Sequence, residues 1–178
     1  MKLSSLQKRT VKFSLLAICM IVLLGISDPV QTEYEVKAAF IYKLLKFIEW
    51  PDRIDIDNQK TIVIGIWGSS PIKEAFEALG KAQKDSSIQV VALQSLKEVN
   101  SVHVLFVSSS ESQADLIDSL KGAKCLTIGE STDFARLGGM VNLMIKSASL
   151  KFELNAQAMR DSHYSVSSMV LKAAEKIW

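Results

Sequence analysis

The 178-residue chain carries two histidines and two cysteines, and their spacing offers little chemistry. His103 lies in the apolar run VHVLFV and is expected to be a satisfied strand or strand-end histidine. His163 falls in the polar stretch DSHYS between helical segments, where a solvated side chain is expected. Cys125 lies in AKCLTIG and reads as a buried strand residue, with an intermolecular disulfide or a redox-sensing thiol as the alternative. A Cys125–His103 thiolate pair needs neighbouring strands and a third group to orient the imidazole. No such group stands at a recognisable spacing. Metal binding has no signature either, for there is no Cys-x-x-Cys, no paired histidine on a helix face and no aspartate-rich calcium loop. The expectation is no catalytic residue, no metal, no cofactor and no enzyme.

Small polar residues at strand ends are the better lead. Gly68, Ser69 and Ser70 follow one β-branched run, Ser108, Ser109 and Ser110 follow another, and Gly129 to Ser131 follow a third. In a parallel α/β sheet such loops gather outside the carboxyl ends of the strands, where ligands usually bind. Helix starts there offer free N–H groups that can hold an anion. GIWGSSP is neither a P-loop nor a dinucleotide fingerprint, and Glu111 and Glu130 would repel phosphate. Strand-to-helix turns also need capping serines and glycines for purely structural reasons.

The elements that would position these loops alternate along the chain. TIVIGIW, IQVVAL, VHVLFVS and CLTIG read as strands, with helical stretches at Ile72 to Leu79 and Glu111 to Leu120 between them. That rhythm means parallel pairing with helices covering the sheet, a Rossmann-like α/β fold. Towards the C-terminus, MVNLMIK and SLKFELN face each other across Ser147 and Ala148 as a hairpin, although its turn lacks asparagine-glycine chemistry. Asn155 can cap a helix from Ala156 to Arg160, and Ser167 or Ser168 opens a last helix through Ala174, ending at Ile177 and Trp178.

The N-terminus reads as an export signal. Lys2, Lys8, Arg9 and Lys12 precede the apolar run Phe13 to Ile26, which spans about 21 Å as a helix, short of the roughly 30 Å bilayer core. A signal peptide over residues 1–27, cut before Asp28, is expected, with a short uncleaved anchor as the alternative. Lipidation at Cys19 is not expected, because Ile18 stands where a small residue is needed. Residues 28–178 then form a single domain with about 17 basic side chains against 19 acidic ones, net about −2 rather than the +2 of the whole chain. No basic cluster remains to neutralise a nucleic-acid backbone. With Cys125 alone left, no internal disulfide can form.

One stretch stands out, TEYEVKAAFIYKLLKFIEWP over Thr32 to Pro51. Thr32 and Glu35 make a capping box, and Pro51 stops the run. Val36, Phe40, Leu44 and Phe47 share one helical face expected to meet the core, with Glu33 and Lys37 on a wetter side. Ile41, Leu45 and Ile48 then need other cover, so they, with Lys43, Lys46 and Trp50, are the candidate partner surface, for a dimer mate or a regulated receptor.

With LTIGESTDFARLGGMVNLMI, and with LKFELNAQAM followed by Ser167 and Ser168, this segment resembles the YfiR/HmsC-like family of periplasmic regulators from about Glu33 to Ala174. The resemblance implies an exported, non-enzymatic protein that binds and restrains an inner-membrane diguanylate cyclase, or a similar membrane sensor, lowering cyclic-di-GMP and biofilm formation. Similar proteins under redox control carry paired cysteines, and this chain does not. A periplasmic small-ligand sensor working through Gly68, Ser69, Ser70, Ser108, Ser109, Ser110 and Gly129 is the rival reading.

Overall fold

The computed structural model describes residues 29–51, 61–83, 87–110, 113–120 and 122–178. The expected leader, its cleavage site, Cys19 and the acidic connector 52–60 lie outside these residues. Residues 33–178 make up one compact unit. Among the described residues no helix is long and apolar enough to cross a membrane.

Helix α1 (Pro29–Leu44) gives way to a 3-10 turn at Leu45–Phe47 and the short strand β1 (Ile48–Glu49). The α/β alternation follows as β2 (Ile62–Trp67), α2 (Ile72–Gln83), β3 (Ile88–Ala92), a 3-10 helix (Leu96–Ser101), β4 (Val104–Val107), α3 (Gln113–Ser119) and β5 (Leu126–Gly129). Then come α4 (Phe134–Leu137), β6 (Val141–Lys146), β7 (Ser149–Leu154), α5 (Ala156–Asp161), β8 (Ser165–Val166), α6 (Ser168–Ala173) and β9 (Lys176–Ile177). Seven strands form the main sheet in the order β3-β2-β4-β5-β6-β7-β9. The first five are mutually parallel, β6 and β7 are antiparallel, and β9 joins β7 in parallel. The fold is α/β, as the sequence rhythm requires.

Strand β4 shows why its run is uniformly apolar. Val104 and Phe106 face a core shared with α1 and α2, while Leu105 and Val107 face a second core with Leu116, Ile117 and Phe134. A strand covered on both faces has no wet side to alternate with. Gly139 and Gly129 flank the buried Phe134: a Cβ on either would fall within 2.0 or 2.4 Å of the ring. The Phe-Ala and paired-glycine motif is therefore a packing device that seats one aromatic ring.

Three sequence expectations need correction. Thr32 and Glu35 lie inside helix α1 (Pro29–Leu44) and do not mark its start. It also ends at Leu44, well before Pro51, because the chain tightens at Leu45–Phe47 and then pairs Ile48 and Glu49 with Val166 and Ser165. The last helix stops at Ala173, and the chain end instead pairs with the free edge of β7, Trp178 N–H donating to Leu154 O at 2.8 Å. A two-residue strand has too short a pattern to announce itself.

The hairpin forms where expected, and its turn is strained. Ser147 and Ala148 both sit at positive φ, 51° and 56°, which favours glycine or asparagine. The double variant Ser147→Asn, Ala148→Gly should raise stability by about 1 kcal/mol, or a few degrees in thermal midpoint. An unchanged or lower midpoint in a melt followed by circular dichroism would show that this turn stores no strain.

Candidate functional site

The chain runs from β2 to β3 on one side, then crosses back to place β4 on the other. The carboxyl ends of β2 and β4 therefore flank the topological switch point, where open α/β sheets hold their ligands. Here the predicted serines meet. Ser108 Oγ donates to Ser69 O at 2.8 Å and shares a 3.1 Å hydrogen bond with Ser110 Oγ, while Ser70 Oγ accepts from Ile72 N–H at 3.3 Å. Gly68 takes φ 87° to turn out of β2, and Gly129 closes β5 against Phe134. The seven residues do converge on one edge, but their polar groups largely serve each other.

Over that edge lies α1, held by a buried ion pair that the sequence reading missed. Lys37 Nζ meets Glu130 Oε2 at 2.6 Å and Glu33 Oε1 at 2.5 Å, and the Lys37 and Glu130 side chains are only 5% and 2% exposed. Tyr34 O–H donates to Glu130 Oε1 at 3.0 Å, and Ser109 N–H reaches the same oxygen at 3.4 Å. Burial pushes the Lys37 ammonium down, but the hydrogen bonds and negative charge of Glu130 and Glu33 outweigh it and hold the group above its ordinary value. For Tyr34, burial and then the Glu130 charge push the phenol up.

This pair sets the rotation of α1. With Lys37 inward, the buried stripe runs Lys37, Ile41, Leu44 and Ile48, joined by Ala38 and Leu45. Of the expected stripe, Leu44 is buried and Phe40 packs against the core, but Val36 is 47% exposed and Phe47 42%, so those two are corrected. Of the candidate partner residues, Ile41, Leu45 and Ile48 belong to the core. Lys43 and Lys46 are exposed, and the half-buried Trp50 stacks edge-on against Tyr164 at 5.8 Å. A lysine flanked by the apolar pairs of VKAAF, with Glu33 one turn before it, was the available signal. It looked like an ordinary surface pair.

The histidines and the cysteine sit apart from this centre. His103 Nδ1 accepts from Val63 N–H at 2.9 Å, and burial lowers the imidazole's pKa. Cys125 is fully buried. Among the described residues no group of three or more His, Cys, Asp or Glu is placed to hold a metal ion.

Beside the ion pair opens a cavity of about 480 Å³ between α1, the β5–α4 loop and β6. Its lining includes Lys37, Glu130, Ser131, Asn142, Met144 and Glu153.

A family pattern described as YfiR/HmsC-like matches residues 34–175, a range that takes in VKAAF on α1, the Glu130 turn and the glycines that seat Phe134. The chain belongs to the YfiR/HmsC-like family. Membership supports a periplasmic regulatory role in general. No curated protein sequence matches the chain. Among solved structures, a conserved domain protein from Vibrio cholerae aligns over 82% of this chain and 60% of its own, at 14% identity and TM-score 0.53, a likeness of fold alone. An ABC domain from Streptococcus pneumonia, solved in complex with L-Trp, aligns over 68% of this chain and 56% of its own, at 15% identity and TM-score 0.49. The chain thus spans less than two thirds of either structure.

Removing one partner of a buried ion pair leaves the other charge stranded, which typically costs about 3–5 kcal/mol. Lys37→Met should therefore destabilise the YfiR-like protein by about that much in urea unfolding, and adding Glu130→Leu should recover most of the loss. Equal losses in single and double variants would mean that the pair does not anchor α1. On the acid side, His103 is pushed below its ordinary 6.5, so its contribution is intact above about pH 6.5 and is lost as pH falls through the folded value. His103→Gln should flatten the slope of stability against pH below 6.5, and an unchanged slope would place the titration elsewhere.

Proposed function

We propose that this protein restrains an inner-membrane diguanylate cyclase by docking on its periplasmic portion, so lowering cyclic-di-GMP and biofilm formation, with no reaction of its own. One observation carries the reading: the helix at the heart of the family motif keeps an outward face that mixes apolar and basic groups. Val36 and Lys43 are exposed along it, and Lys46 and Phe47 in the 3-10 turn that follows. Phe47 O accepts from Ser167 N–H at 3.3 Å, which brings in α6, where Met169 is 66% exposed and Lys172 is also open. An exposed apolar group rimmed by lysines suits an acidic-rimmed partner surface. Because α1 is braced from behind by Lys37 and Glu130, the face is presented rigidly, which lowers the ordering cost of association. Export by the leader completes this proposal, and a dimer mate is the alternative occupant of the same face.

A second reading, a periplasmic small-ligand sensor at the strand-end loops, is favoured by the cavity beside Glu130. The cavity meets α1 at Glu33, Tyr34 and Lys37, whereas the docking face runs from Val36 to its C-terminal end and beyond.

Charge reversal at Lys43 and Lys46 together is expected to weaken capture of the membrane cyclase at least tenfold, with a larger loss at low salt. The thermal midpoint should barely move, since exposed substitutions usually cost within 0.5 kcal/mol. Crosslinking and co-purification from membranes read the first effect and a melt reads the second. Undiminished capture would exclude this face as the contact, and unchanged cyclic-di-GMP on deleting the gene would exclude the cyclase.

A further inference from the structure

Asn142 is the second residue of β6, its side chain only 2% exposed, and it lines the cavity beside the ion pair. Its Oδ1 has no hydrogen-bond partner, and neither does the buried Oγ of Ser131 in the same lining. A buried amide oxygen without a donor costs about 1–3 kcal/mol, and such groups are rare enough to point to a missing partner. What is missing is a donor, since an amide oxygen only accepts.

The charge around the cavity narrows the donor's chemistry. Glu33, Glu130, Asp133 and Glu153 line it against the single cation Lys37. Lys37 is already shared between two of those carboxylates, and Asp133 is held by Arg136 at 2.9 and 3.0 Å. Glu153 accepts at 3.3 Å from the neutral indole N–H of Trp178. Among the described lining residues, carboxylates therefore outnumber ammonium groups, while Met144, on the same face of β6 as Asn142, supplies an apolar wall. An anion would meet no uncommitted cation among the lining residues. In the second large cavity, of about 410 Å³, the Thr127 hydroxyl and the Asn155 amide already have partners, so it makes no comparable demand.

We propose that the cavity binds a small organic cation, whose primary ammonium group donates to Asn142 Oδ1 and Glu153 while its apolar body lies along Met144. This deepens the second functional reading and rests on it. It does not depend on the membrane partner.

Calorimetric titration of the full-length purified protein with n-pentylamine tests it, with valerate and 1-pentanol as matched anionic and neutral probes. The amine should bind saturably at one site, and the other two should give no binding heat. Asn142→Leu and Glu153→Gln should each weaken amine binding at least tenfold. Glu153 lies on the wetter part of β7, so its variant keeps the test open if Asn142→Leu fails to fold. Equal or tighter binding of valerate, unchanged affinity in both variants, or no amine binding at about 10 mM would overturn the proposal. Native mass spectrometry separates this from the reading beneath it. A neutral or anionic molecule retained by the protein would overturn the ligand class yet leave a sensor standing, whereas a retained amine would support both.

Discussion

A lysine buried between two carboxylates organises this protein. Lys37 reaches from α1 to Glu130 at the carboxyl end of β5, and the pair is nearly sealed from water. Charges so placed persist only when matched and hydrogen-bonded, and Glu130 gathers Tyr34 and Ser109 N–H besides the lysine. Such a pair adds little net stability compared with apolar packing, yet it fixes geometry. One rotation of α1 satisfies it, and that rotation sends Ile41 and Leu44 inward while turning Val36 and Lys43 outward.

The consequence for function is that the usual ligand edge of the sheet is part-covered by the family's own motif. Serines from the β2 and β4 loops bond to each other beneath α1, and the remaining opening lies further along, between α1 and β6. A ligand there and a partner on the outer face of α1 would act on opposite sides of one helix. Energetic coupling between them would pass through a single rigid element whose position the ion pair sets.

Much of this architecture was legible from residue patterns, and the failures share a cause. Apolar β-branched runs alternating with helical stretches identify a parallel sheet because strands covered on both faces leave no other signature. The Asn155 cap follows a local rule that the structure obeys, and the hairpin forms from its facing strands although Ser147 and Ala148 lack the usual turn chemistry. The face of α1 did not follow, since Lys37 looked like half of a solvent pair with Glu33, and its decisive partner lies 93 residues away. The β9 strand failed for a like reason, because only the free edge of β7 makes Lys176 and Ile177 extended. The serine and glycine loops were correctly gathered on one edge, but their mutual hydrogen bonds and the unmet amide of Asn142 are properties of contact, not of sequence.

Native-state hydrogen exchange on α1 addresses the bracing of this helix most directly. Amides from Ala38 to Leu44 should exchange only through the same global opening that releases β4, because the helix and the sheet edge share one buried charge centre. If those amides exchange through a separate, low-energy opening while β4 stays protected, α1 is a loosely docked appendage, and the pair does not organise the fold.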